Sequence, residues 1–195
     1  MPAPNRPPAM AARAAEDLAA IRAAMERSRG FRSVPGASGV LMGVIGVITA
    51  FAAGHAANRE QWLETWLFAG ALASSLGACE IFVRAAARRE RREAIVRLFG
   101  SLAPAFVSTL LLTAALWSAS NYTWLPALWL FGYGTAMLAA APVTLRPVGW
   151  MGAGFLALGA LALFTPESMA DVWLGLGFGG LQSGFGIWIA RHRDG

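Results

Sequence analysis

The chain has 195 residues, is 56% hydrophobic and only 14% charged, and carries a formal charge of +5. A soluble domain is about a quarter charged, so this composition cannot clothe a water-facing surface and points to lipid as the solvent. All sixteen basic residues are arginine, a usage that fits a GC-rich bacterial genome, and the single Cys79 excludes an internal disulfide and a multi-cysteine metal site.

Residues 1–10, MPAPNRPPAM, are proline-rich and read as a disordered tail. Residues 11–29 read as an amphipathic helix, with Leu18, Ile21 and Met25 on a narrow apolar stripe. Such a helix lies on a membrane surface or on the protein's own loops, or docks a partner. Gly30, Pro35 and Gly36 then break the chain, and Ser38 is a candidate cap for the next helix.

Six apolar segments follow, predicted as spans at about 39–57, 62–83, 102–119, 124–141, 148–164 and 172–190. The first has a short apolar core that Ala-rich extension brings to near the ~20 residues a bilayer requires. Its AFAAG sequence resembles a cleavage site near Ala52, but 38 preceding residues are too long and too polar for a signal peptide. Trp62 and Trp66 start the second span, Trp124 and Trp129 the fourth and Trp173 the sixth, as interfacial aromatics do. This pattern fits either a triplicated two-helix unit or the general preference of tryptophan for membrane boundaries. Pro104 falls in the predicted first turn of the third span, where proline is tolerated.

The charges order these spans. Between the second and third lies RAAARRERREAIVR, with Arg84, Arg88, Arg89, Arg91, Arg92 and Arg97. With the amino terminus inside, six arginines of the N-terminal region, these six, Arg146 and the two of the tail (191–195) face the cytoplasm, leaving only Arg59 outside. The expected architecture is therefore an all-α bundle of six transmembrane helices with both termini cytoplasmic, in a bacterial inner membrane. Contact with anionic lipid headgroups accounts for the central arginines. Without aromatic partners they are no nucleic-acid site.

Chemistry-bearing residues are few. Glu80 sits in the last turns of the second span, where a carboxylate is costly and either functional or paired; Arg84, four residues on, is the obvious partner. Ser75 and Cys79 share that helix, and Gln182 lies midway along the sixth, so these four form the candidate intramembrane polar site. Gly39 and Gly43, Gly175 and Gly179, and Gly180 and Gly184 each have the small-xxx-small spacing of closely packed helices. Alternatively, the glycine-rich sixth span lines a cavity. His55 and His192 are too far from any candidate nucleophile to serve as a base, and no metal or cofactor motif is present.

MERSRGFRSVPGASGVLMG, Met25 to Gly43, resembles the juxtamembrane start of a family of small bacterial membrane proteins with no assigned activity. That family reads Met-Glu-x-Ser, then Phe, then a Ser-Gly-rich lead into the first span. FGYGTAMLAA, Phe131 to Ala140, and WLGLGFGGLQSGFGIWI, Trp173 to Ile189, are similar to its fourth and sixth spans, the latter often bearing His at the position of Gln182. The resemblance implies six spans and no particular chemistry. Two roles remain from sequence: a structural or regulatory membrane component that binds a protein partner or a second copy, and a small transporter with a path past Glu80 and the sixth span. A lipid-modifying enzyme is a distant third.

Overall fold

A computed structural model describes residues 13, 17, 18, 37–87 and 92–191. The first compact unit, Met1–Gly30, is described only at Arg13, Asp17 and Leu18, which are helical. The tail 1–10, most of the expected amphipathic helix and residues 192–195 therefore lie outside the described residues, as do Arg88, Arg89 and Arg91.

The second unit, Phe31–Gly195, is all-helical among its described residues. Its helices are α1 (Ala37–Ala53), α2 (Arg59–Ala87), α3 (Arg92–Ser118), α4 (Leu125–Ala140) and α5 (Arg146–Leu163). The last, α6, is composite: Ala170–Leu174 and Gln182–Arg191 are α-helical, and Gly175–Leu181 between them is a π-helical turn. Five helical stretches are long and apolar enough to cross a membrane; the sixth, Ser38–Ala53, is apolar but shorter. Large apolar side chains cover the exterior, including Phe51, Phe68, Leu111, Trp150 and Phe164. This surface is consistent with a multi-pass membrane protein.

The helix ends depart from the sequence reading for local reasons. α1 stops at Ala53, short of residue 57, and the chain turns through Gly54 and His55, whose Nδ1 lies 2.8 Å from the Phe51 carbonyl. α2 begins at Arg59, ahead of Trp62. Asn58 Oδ1 accepts the Gln61 N–H and Gln61 Oε1 accepts the Ala57 N–H, both at 2.8 Å, a reciprocal cap that Asn-x-x-Gln encodes. Both α2 and α3 run on into the arginine stretch. Pro104 is consequently inside α3, where it removes one helical hydrogen bond. Ser38 also lies inside the first turn of α1 rather than ahead of it.

Two antiparallel glycine seams set the layout. Along α1 and α6, Gly39 meets Gly186, Gly43 meets Ser183 and Gly179, Gly46 meets Phe178 and Gly175 meets Ala50. Along α4 and α5, Gly134 and Gly152 face each other's helix backbone and Gly159 faces the Phe131 ring. Backbones approach this closely only where no Cβ intervenes. From these seams the packing order runs α2, α1, α6, α5, α4, α3. α2 and α3 end the series and barely approach each other. They meet near one end, through stacked rings of Phe82 and Phe99 with centroids 5.6 Å apart. At this arginine end Ile81, Ala85, Leu98, Ala140, Val148 and Ile189 form one apolar cluster. At the opposite, tryptophan end, Trp62, Trp66, Leu125, Met151, Phe155 and Leu174 belong to the other.

The seam makes a direct prediction. A Cβ on Gly46 would stand 2.6 Å from the Phe178 carbonyl group, whereas one on Gly180 meets nothing within 4 Å. Overpacking costs about 1–3 kcal/mol or more. Gly46→Leu should lower the thermal unfolding midpoint in detergent by about 5 °C or more, and Gly180→Leu should change it by less than about 2 °C. Size-exclusion after heating measures both.

Candidate functional site

The open side between α2 and α3 leads into a chamber of about 770 Å³. Small residues of α2 (Ala69, Gly70, Ala73, Gly77) form one wall, and Leu102, Phe106 and Leu110 of α3 form the facing one. Residues of α1, α4, α5 and α6 close the back. Its lining is almost wholly apolar, with no carboxylate, arginine or histidine among the described residues.

Midway along the helices the back wall carries one polar pair. The Tyr133 hydroxyl of α4 donates to Gln182 Oε1 of α6 across 3.0 Å. Gln182 follows directly on the π turn, and only 7% of it is exposed. Its Nε2 donates to Met42 Sδ of α1 at 3.8 Å, and a thioether is a weak acceptor. Burying an amide without a full complement of hydrogen bonds costs about 1–3 kcal/mol, so this nitrogen is an under-used donor beside the chamber. The Thr109 and Thr113 hydroxyls of the same lining already donate within α3. Thr113 Oγ1 donates to the Thr109 carbonyl at 2.7 Å and accepts Trp129 Nε1 at 2.9 Å. Thr109 Oγ1 donates to the Ala105 carbonyl at 2.7 Å.

Aromatic rings surround the pair. Tyr133 lies 5.3 Å from Phe178 edge-on, 4.6 Å from Phe155 and 6.2 Å from Phe106. Trp66 bridges Phe178 at 6.3 Å and Trp129 at 6.4 Å, and Trp62 stacks on Trp129 at 5.4 Å with planes 8° apart. Two of these rings are fixed from outside the chamber. The indole N–H groups of Trp62 and Trp66 both donate to Asp171 Oδ1 at 2.9 Å, tying α2 to the start of α6. Nearby, Arg59 pairs with Glu167 and lies over the Tyr122 ring at 5.9 Å.

The four residues read from sequence as one polar site are not brought together. Gln182 lines the chamber. Ser75 and Cys79 are exposed on the outer face of α2, with Ser75 Oγ donating to the Ala71 carbonyl at 2.8 Å. Ser74, Gly77 and Ala78 of the same helix line the chamber instead. α2 is apolar all round, so its sequence does not mark an inward face.

Glu80 is not in the chamber wall either. Its Oε1 accepts Arg84 Nε at 2.5 Å and its Oε2 accepts the Ser38 N–H at 2.6 Å. That N–H is one of the unpartnered donors of the first turn of α1, where a carboxylate also meets the positive end of the helix dipole. Glu80 thus does from 42 residues away what Ser38 was expected to do locally. Among the described residues Glu80 joins α1 to α2.

The glycine pairs also divide. Gly39, Gly43, Gly175 and Gly179 lie in the α1–α6 seam, but a Cβ on Gly180 or Gly184 would meet nothing within 4 Å among the described residues. Spacing alone did not separate them, because 180 and 184 lie on the other side of α6. Of the central arginines, Arg92 and Arg97 are exposed on the first turns of α3.

This chain matches no protein-family model, no curated protein sequence and no solved structure.

The site is therefore defined by its own geometry. Sequence reasoning missed Tyr133, Met42 and Trp66 as chamber residues. The one signal for Tyr133 was a hydroxyl midway along a segment whose one other hydroxyl is Thr135.

The Glu80 joint is testable. Glu80→Ala removes the acceptor for a helix N–H and for Arg84, and should destabilise by about 1.5–3 kcal/mol. Glu80→Gln keeps an acceptor for Ser38 and should cost about 1 kcal/mol. Denaturant titration followed by tryptophan fluorescence should rank wild type above Gln above Ala.

Proposed function

We propose that the protein is a six-span membrane protein of the bacterial inner membrane that binds an uncharged, lipophilic small molecule taken laterally from the bilayer. The chamber carries this reading: an apolar cavity that no helix among the described residues closes on the α2–α3 side. Its volume falls in the ~300–1,000 Å³ range of small-molecule pockets, which likewise combine apolar walls with a few polar groups. An ion or a charged solute would find no compensating charge in such walls. Apolar molecules reach it directly from the hydrocarbon, through the space between α2 and α3.

The orientation follows from charge. Arg84, Arg92, Arg97, Arg146 and Arg191 all lie at or near the arginine ends of their helices. Arg59, paired with Glu167, lies at the other end among Glu60, Glu64 and Asp171. The positive-inside rule then puts the arginine end and both termini in the cytoplasm. α1, at 17 residues and about 25 Å, is short for the ~30 Å hydrocarbon layer, a mismatch that tilting neighbours and local thinning absorb.

Two measurements test this reading. In a Cys79→Ala background, Ser168→Cys should react with an impermeant thiol reagent added to whole cells and Ala94→Cys should not; the reverse pattern overturns the topology. For the ligand, solvent extraction of the purified protein followed by mass spectrometry should recover an apolar molecule near one per chain. Gly70→Trp places an indole in the chamber where a Cβ meets nothing within 4 Å. It should reduce recovery at least tenfold; equal recovery from both proteins sinks the reading.

A further inference from the structure

We infer that the ligand of this chamber is a lipid-soluble quinone, held with a ring carbonyl on Gln182 Nε2, its ring among the surrounding aromatic faces and its tail leaving between α2 and α3. This rests on the reading of the chamber as a binding site and specifies what it takes.

Three features of the wall select the class. The first is the donor. Gln182 is buried, and its amide oxygen is occupied and oriented by the Tyr133 hydroxyl. That contact leaves Nε2 to donate, and its present partner is only the Met42 thioether at 3.8 Å. A carbonyl oxygen is a far better acceptor than a thioether, so a ligand carbonyl improves this group's hydrogen bonding rather than competing with a good bond.

The second is the shape of the surroundings. Rings of Phe106, Tyr133, Phe178, Trp66 and Trp129 all line the chamber around the amide. Aromatic faces favour a flat ring in offset or edge-on contact, with about 0.5–1.5 kcal/mol per pair beyond area burial. An acyl chain gains nothing specific from such walls. The third is the exit. Ala69, Gly70, Ala73 and Gly77 of α2 leave a slot of small side chains beside Leu102 and Leu110 of α3. An isoprenoid or alkyl tail passes there into the hydrocarbon. The lining also carries no charge among the described residues, which excludes a phosphate or carboxylate head and suits a neutral dicarbonyl ring.

The test uses the full chain in nanodiscs of synthetic phosphatidylcholine. A decyl-tailed benzoquinone is titrated against decylbenzene, which has the same tail and a ring without carbonyls. Quinones quench indole emission, and Trp66 and Trp129 line the chamber, so quenching reads quinone binding directly. Decylbenzene is read by its displacement of the quinone. The expected result is saturable quinone binding at least tenfold tighter than decylbenzene. Gln182→Leu should weaken the quinone about tenfold, the equivalent of about 1.4 kcal/mol for one hydrogen bond, and leave decylbenzene unchanged. Unchanged decylbenzene affinity in Gln182→Leu shows that the chamber still forms, and Tyr133→Phe, which keeps the ring but loses the hydroxyl that orients the amide, should weaken the quinone in the same direction by a smaller factor. Equal affinities for the two probes, or an unchanged quinone affinity in Gln182→Leu, overturn the quinone assignment. If in that case Gly70→Trp still abolishes binding of both probes, the chamber remains a lipophile site; if Gly70→Trp changes neither, both inferences fall.

Discussion

The glycine seam between α1 and α6 is the contact on which the rest of the second unit depends. It joins the first helix to the last across Gly39, Gly43, Gly46, Gly175, Gly179 and Gly186. In a hydrocarbon solvent apolar burial gives no preference for one helix partner over another, so close van der Waals fit decides which helices adhere. With α1 bound to α6, α2 is carried to one flank of the series. The second seam, between α4 and α5, holds the other half together and leaves α3 on the opposite flank. The chamber is the space left between those flanks.

Polar groups then fix what the seams leave adjustable. Several polar contacts join different helices: Glu80 caps α1 from α2, Asp171 of α6 takes both indoles of α2, and Gln182 of α6 meets Tyr133 of α4. The π turn at Gly175–Leu181 belongs to the same design. It shifts the register of α6 between the part that seats Asp171 and the part that seats Gln182. Extra residues in a helical turn commonly accompany functional sites, and here the turn ends on the residue that faces the chamber.

Much of the fold was legible in the chain. The apolar segments, the tryptophans at one set of ends and the arginines at the other follow from what a bilayer tolerates at each depth. The glycine spacing marked α1 and α6 as close-packed. Helix ends were less legible: the Asn58 and Gln61 cap moved the start of α2, and Pro104 proved interior because helix continued into a stretch read as loop. The polar site was legible only in part. Gln182 stood out as an amide in a span, but Ser75 and Cys79 were grouped with it although they face outward.

The sequence by itself determined that this is a chain of apolar helices, which ends of them are charged, and which residues are too polar or too small to be there without a reason. Tertiary structure alone decided what those residues do. A helix that is apolar on every side carries no periodic signal of its inward face, so Ser74 and Ser75 look alike until neighbours are placed. Pairings such as Glu80 with Ser38, or Tyr133 with Gln182, join positions far apart in the chain, and local spacing holds no information about them. The chamber is a property of two helices that meet at one end and part beyond it, which no single segment records.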